Sequence, residues 1–286
     1  MNRPNHKLFQ RKARYVMSKI PKRLLLAISM CCLVATAHAA PIDDAGAAID
    51  RGDYAQAFKI YRTLAVQGDV TAQGLLGLFY EQGQGVTQDY KEAMKWYRLA
   101  APQGNKVIQN NLGAMYRQGQ GVTRDYKEAM KWFRLAAAQG YADAQYNIGW
   151  AYSKGHGVTQ DYQEALKWYR LAAVQGYAAA QSGIGNHYQF GWGVIQDYQE
   201  ALKWYRLAAA QGLARGQVLL GLMYYEGKGV TQDFVPAHMW VNIAGREGDA
   251  DIIKMRDSIA SQMTSQQIEK AQDMARKCQA RSFKGC

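Results

Sequence analysis

Three histidines and two cysteines are the side chains in the main body of this chain best suited to nucleophilic, acid–base or metal chemistry. His156, His187 and His238 lie far apart in sequence, in different copies of a repeat described below. Cys278 and Cys286 are eight positions apart at the C-terminal end. That spacing fits a small disulfide loop in an oxidising compartment, or two unpaired thiols in a frayed tail. A metal site would need further ligands, and no histidine is near in sequence. The signatures H-E-x-x-H, G-x-x-x-x-G-K-[ST], G-x-S-x-G and S-x-x-K are all missing. Strings such as "GQGQGV" do not follow a strand pattern, which removes a phosphate-loop reading. The expectation is no enzyme, no cofactor and no metal.

Two other groups of residues could bind rather than react. The first is a basic ladder: Lys95, Arg98, Lys131, Arg134, Lys167, Arg170, Lys203 and Arg206 recur at one helical face. Stacked, they would form a stripe for an anionic envelope component, protein or polysaccharide. Against this, Glu92, Glu128, Glu164 and Glu200 stand three positions before the lysines, as on an ordinary solvated face. The second group breaks the repeat. "GNHYQFGWGVIQD" puts Asn186 and His187 where other copies have Leu78/Phe79, Ala114/Met115, Trp150/Ala151 and Leu222/Met223. It also puts Phe190 and Trp192 where they have Gln82/Gln84, Gln118/Gln120, Lys154/His156 and Glu226/Lys228. Aromatic rings in place of polar loop residues suggest a contact site for another protein; packing against the adjacent copy is the plainer reading.

The elements that would position these residues are legible from the repeat. "GVTQDYKEAMKWYRLA" at residue 85 returns in near copies at 121, 157 and 193 and begins again at 229, a fixed period of 36 residues. The units run 54–89, 90–125, 126–161, 162–197 and 198–233. A divergent sixth unit and capping helices span 234–277, and a Cys-flanked tail spans 278–286. Each unit holds two helical patterns. The first opens at Asp89, Asp125, Asp161 or Asp197 with Glu three residues on, the spacing of a capping box. Tyr90, Ala93, Met94, Trp96, Tyr97, Ala100 and Ala101 share one arc, which the helix would bury. "QG" turns at Gly104, Gly140, Gly176 and Gly212 end it. The second helix carries Gly77, Gly113, Gly149, Gly185 or Gly221 at its centre. A mid-helix glycine costs about 1 kcal/mol relative to alanine, so its recurrence predicts a helix–helix approach that a side chain would block. One hairpin cannot bury its own apolar face, whereas stacked hairpins can. The expected core comprises Trp96, Trp132, Trp168, Trp204, Trp240, the Tyr90 series and the Tyr80/Tyr116/Tyr152/Tyr188/Tyr224 series.

The pattern A-x-x-W-[YF]-R-x-A-A-x-Q-G followed by [LI]-G-x-x-Y-x-x-G-x-G-V-x-x-D resembles the Sel-1-like repeat family, a branch of the tetratricopeptide-like superfamily. The resemblance covers about residues 54–247. It implies an all-α fold, an α/α solenoid wound as a right-handed superhelix, and a helical scaffold that binds another protein. Exported bacterial members of the family are associated with envelope regulation, exopolysaccharide assembly and host contact. The family supplies no shared catalytic residues. Some cysteine-rich members are described as β-lactamases, so an envelope hydrolase or penicillin-interacting protein is an alternative; those carry paired cysteines in each repeat, and no repeat here has any. A polysaccharide or peptidoglycan binder using the Lys/Arg ladder is the other alternative.

The N-terminal segment completes the reading. "MNRPNHKLFQRKARYVMSKIPKR" holds eight Lys/Arg and no acid, and "LLLAISMCCLVATA" then "AHA" follow. A basic region, a short apolar region and small residues form an export signal with cleavage after Ala39. The apolar run is too short for a membrane span of about 20 residues. Residues 40–53 form a short lead, partly helical at best. The chain is +12, but residues 1–39 carry +8, and the remainder has 27 basic and 23 acidic residues, net +4. The high charge therefore gives no case for a nucleic-acid partner. The expected place of action is the periplasm or the secreted fraction.

Overall fold

The computed structural model describes residues 42–283 and 285–286. The expected signal peptide, 1–39, lies outside them. Fourteen helices and no strand are found among the described residues. The chain divides into two compact units, residues 1–96 and 97–286.

In the first unit, α1 (residues 42–50), α2 (Tyr54–Val66), α3 (Val70–Gln82) and the start of α4 (Tyr90–Ala100) are helical. Residues 42–50 form a continuous helix, because Ala45 and Ala48 are small enough to pack fully buried in the cluster of Tyr61, Leu64, Leu76 and Phe79. α1 thus covers the apolar face of the first hairpin.

The second unit continues with α5 (Lys106–Gln118), α6 (Tyr126–Ala138), α7 (Ala142–Lys154), α8 (Tyr162–Ala173), α9 (Ala178–Phe190), α10 (Tyr198–Ala210) and α11 (Ala214–Glu226). Next come α12 (Phe234–Ala244), α13 (Ala250–Ala260) and α14 (Ser265–Ala280). Each odd-numbered helix from α5 to α11 packs on the helix after it through its central glycine. A Cβ on Gly113 would lie 2.7 Å from the Phe133 ring, one on Gly149 2.7 Å from Tyr169, and one on Gly185 2.4 Å from Tyr205. The close approach predicted from the sequence is present, and in these three hairpins its partner is the aromatic residue one position after the tryptophan; at Gly221 the partner is Val241, one position after Trp240, at 2.8 Å.

That partner corrects the expected core. Phe133, Tyr169 and Tyr205 are buried, whereas Trp132, Trp168 and Trp204 are only half-buried, as are the Tyr90 and Tyr80 series. Trp168 packs back on the cluster of α6 and α7, and Trp204 on that of α8 and α9. The tryptophans are seams between successive first helices. Only Trp240 is buried, where α14 closes the stack with Ala271, Ala275 and Cys278.

The capping box is also only half made. Asp161 and Asp197 accept from the backbone N–H of Glu164 and Glu200 at 2.9 Å. The glutamates do not reach back. Glu164 accepts from Trp168 Nε1 at 3.0 Å and pairs with Lys167 at 2.8 Å, and Glu200 does the same with Trp204 and Lys203. The reciprocal box occurs at Thr264 and Gln267, where α14 begins.

A buried amide ladder fixes the register between hairpins. Gln139 donates to Gln109, Gln175 to Gln145 and Gln211 to Gln181, at 2.8, 2.8 and 2.7 Å. Each acceptor is nearly inaccessible, so a slipped register would strand polar groups away from water. At the C-terminus Cys278 and Cys286 are joined in a disulfide, which keeps Phe283 against the Gly212 turn.

Candidate functional site

The second helices of three successive hairpins, α7, α9 and α11, frame a recess of ≈ 310 Å³. Side chains four positions apart share a helix face, which is why Tyr146, Trp150 and Lys154 of α7, Ala179, Gly183 and His187 of α9, and Arg215 and Leu219 of α11 all reach it. Tyr169 of α8 contributes from below, and Asn186, Phe190 and Trp192 complete the wall.

The hollow follows from side-chain volume. At the positions of Ala179 and Gly183, the preceding hairpin has Asp143 and Asn147 and the following one has Arg215 and Leu219. Small residues in the middle helix leave space that its neighbours would fill. Gly183 is readable in the sequence as a glycine outside the recurring turn and mid-helix positions, but nothing in one copy of the repeat marks it as lining a hollow. Trp150, Lys154, Arg215 and Tyr169 are equally unmarked. Each looks like an ordinary member of its own helix until three hairpins stack.

The structure brings Asn186, His187, Phe190 and Trp192 together, but in different roles. Phe190 is 51% exposed. Its ring stacks on Trp192 at 4.8 Å, and Trp192 stacks on Tyr162 at 5.6 Å with an interplanar angle of 11°. The Trp192 position packs this way in other copies too: His156 stacks on Tyr126 at 4.2 Å, and Lys228 lies over Tyr198 at 5.8 Å. His187 is 1% exposed, so it positions the loop rather than meeting a partner. Its Nδ1 is 2.8 Å from the Trp192 carbonyl oxygen, and the Trp192 N–H donates to the His187 carbonyl at 2.9 Å. A carbonyl only accepts, so the neutral ring carries its proton on Nδ1. Burial pushes the His187 pKa down, partly offset by the bond to Trp192. Asn186 Oδ1 lies 2.8 Å from the Tyr205 hydroxyl, which also reaches Gln189 Oε1 at 2.6 Å and gives its one proton to one of them at a time.

Cations border the recess without acids. Lys154 and Arg215 are exposed, and neither forms an ion pair among the described residues. Arg117 lies over the Trp150 ring at 5.3 Å and donates to Asn147 Oδ1 at 3.0 Å. Burial lowers its pKa, opposed by nearby tyrosines.

The Lys/Arg ladder lies elsewhere. Lys95, Lys131, Lys167 and Lys203 pair with Glu92, Glu128, Glu164 and Glu200 at 3.3, 2.6, 2.8 and 2.8 Å. Arg98, Arg134, Arg170 and Arg206 donate to the hydroxyls of Tyr116, Tyr152, Tyr188 and Tyr224 at 2.8, 3.4, 3.1 and 2.9 Å. Every ladder residue therefore has a partner inside its own hairpin, and none lines the recess. Among the described residues there is no cluster of three metal-ligating side chains, and no helix is long and apolar enough to cross a membrane.

Five segments, 70–105, 109–141, 142–177, 178–213 and 214–249, match the Sel1 repeat. A Sel1 repeat protein from Oxalobacter formigenes, of known crystal structure, is 36% identical, with 83% of this chain and 99% of that one covered and a TM-score of 0.71. A protective antigen present in uropathogenic Escherichia coli strains, displaying an SLR fold, is 38% identical, with 81% of this chain and 50% of that one covered and a TM-score of 0.65. This chain therefore spans half the length of the E. coli protein. No curated protein matches it.

Proposed function

The chain belongs to the Sel1 repeat family, and from that premise we propose that it is an exported, non-catalytic scaffold that binds a protein partner at the recess of α7, α9 and α11. Sel1 repeat proteins generally mediate protein–protein interaction, and the family is generally non-catalytic. The observation that carries the choice of surface is Phe190: a large ring left 51% exposed at the rim of a hollow, in the one hairpin whose sequence departs most from its copies. Exposed aromatic residues beside a concave surface are the usual anchors of a protein contact. Export is supported by the basic-then-apolar leader and by the Cys278–Cys286 pair, a bond that persists in oxidising compartments. Cleavage after Ala39 would make Ala40 the first residue of the mature chain, which N-terminal sequencing of the exported protein checks.

A photoreactive phenylalanine analogue in place of Phe190 tests the surface. The expected result is cross-linking of an envelope protein from that position, reduced by Trp192→Ala. The control position is Val174, which is 81% exposed and does not line the recess. Equal cross-linking from both positions, or none from Phe190, would refute the assignment.

A further inference from the structure

The recess has a definite chemical bias. Among the described residues its lining includes two cations that form no ion pair, Lys154 and Arg215, and no aspartate or glutamate. A concave surface with one sign of charge concentrates the opposite sign. Beside the cations stand Phe190 and Leu219, which offer apolar contact. The size also limits the occupant: ≈ 310 Å³ is at the lower end of the range for binding pockets, enough for a short segment rather than a folded element.

Two kinds of chain combine carboxylates with groups that pack on rings: acidic peptides and uronate-containing glycans. Ring geometry separates them. A sugar needs an open aromatic face to lie on. Trp192 has Phe190 on one side and Tyr162 on the other, at 4.8 and 5.6 Å with near-parallel planes. Trp150 has Arg117 over its ring at 5.3 Å and His156 edge-on at 4.8 Å. Both faces of Trp192 and one face of Trp150 are engaged within the protein, and ring edges and the outer Phe190 surface are the main aromatic area left. Those suit an amino-acid side chain.

We propose that the recess takes an extended peptide segment in which a carboxylate adjoins an aromatic or aliphatic side chain, the carboxylate drawn to Lys154 and Arg215 and the apolar group set against Phe190. This deepens the protein-binding reading above and rests on it.

The test is selection of a random heptapeptide display library on the whole protein and on the double variant Lys154→Glu/Arg215→Glu. Both residues are exposed, so the variant should fold, which its helical circular dichroism verifies. On the unaltered protein the enriched peptides should place Asp or Glu beside Phe, Trp or Leu. On the double variant the acids should be replaced by Lys or Arg. For one enriched acidic peptide, each of Lys154→Ala and Arg215→Ala should weaken binding about two- to fivefold, as for exposed ion pairs, and added salt should weaken it further. The ladder variant Lys131→Glu should leave it unchanged. Enriched peptides without acids, or acids still enriched on the double variant, would overturn the proposal while cross-linking from Phe190 leaves the scaffold reading standing. Binding of oligogalacturonate that Lys154→Glu/Arg215→Glu abolishes, with no peptide enriched, would assign the recess to an anionic glycan instead. Loss of both peptide enrichment and Phe190 cross-linking would overturn both readings.

Discussion

Two alanine substitutions in one helix separate packing from propensity. Gly183 and Gly185 both lie within α9, in ordinary helical backbone, so replacing either with alanine gains about 1 kcal/mol of helix propensity. Their surroundings differ. A Cβ on Gly185 would lie 2.4, 2.6 and 3.0 Å from three atoms of the Tyr205 ring. Tyr205 is fully buried, and its hydroxyl donates to either Asn186 or Gln189, so the ring cannot swing aside without breaking that bond. Overpacking costs about 1–3 kcal/mol, and a broken buried hydrogen bond about 1 kcal/mol more. The larger values apply to a tethered ring, which leaves Gly185→Ala about 2–3 kcal/mol destabilising after the propensity gain. A Cβ on Gly183 would meet the Tyr169 ring at 3.3 Å, which a few tenths of an ångström of movement relieves. Gly183→Ala should therefore change stability by less than about 1 kcal/mol.

Urea unfolding followed by tryptophan fluorescence measures both variants. Replacing Tyr205 with alanine supplies the internal check, since Gly185→Ala in that background should become neutral or stabilising. Equal effects of the two glycine variants would refute the close-approach reasoning. So would stabilisation by Gly185→Ala with Tyr205 in place.

Other outcomes follow from the same contacts. Gln211→Leu removes the donor to the buried Gln181 Oε1 and should cost about 1–3 kcal/mol, measured by the same unfolding curve. Stability should fall with acid through two histidines. Burial lowers the pKa of His187, and burial and then Arg256 lower that of His238, against Asp257. Their folded values lie below the unfolded value of about 6.5. The contribution is therefore complete above that pH and is lost as pH falls from there through the folded values, because the unfolded chain binds protons first. The urea midpoint should drop between pH 7.5 and pH 5, by less in His187→Gln; a flat profile would contradict this. Reducing the Cys278–Cys286 bond should cost about 2–3 kcal/mol by loop-closure entropy, with hydrogen exchange rising first in α14.

The hairpins were legible because their signals are local. Asp161 caps the helix it precedes, the "QG" turns end helices, and Gly185 could be recognised as a contact point from its recurrence alone. The core was harder. Trp204 and Tyr205 fall within one apolar arc, and helical periodicity cannot rank neighbours 100° apart. The choice is made by the facing surface: Gly185 leaves a slot for the Tyr205 ring, while Trp204 turns toward the preceding cluster and keeps its Nε1 on Glu200. The basic ladder was legible as a pattern but not as a set of bonds, since the tyrosine that receives each arginine is 18 positions away, on the next helix. The recess was least legible, because it is a property of three hairpins and its decisive residues, Ala179 and Gly183, contribute by what they lack.

The position of Trp192 bears on why this hairpin differs. Histidine, tryptophan and lysine in successive copies all settle on the first tyrosine of a helix, as at Tyr126, Tyr162 and Tyr198. The stack therefore tolerates several side chains there and does not demand an indole. Ala179 and Gly183 similarly forgo contacts that larger residues make in adjoining copies, and unfilled space lowers stability. Packing alone would favour filling the floor and leaving the rim polar. The fourth hairpin does the reverse at both places, adding Phe190 and Trp192 to the rim and emptying the floor beneath, and both departures meet in one recess bordered by Lys154 and Arg215. Stacking on Tyr162 accounts for part of the change at Trp192, whereas the emptied floor and the exposed Phe190 gain nothing from packing and are the departures that the proposed bound segment would use.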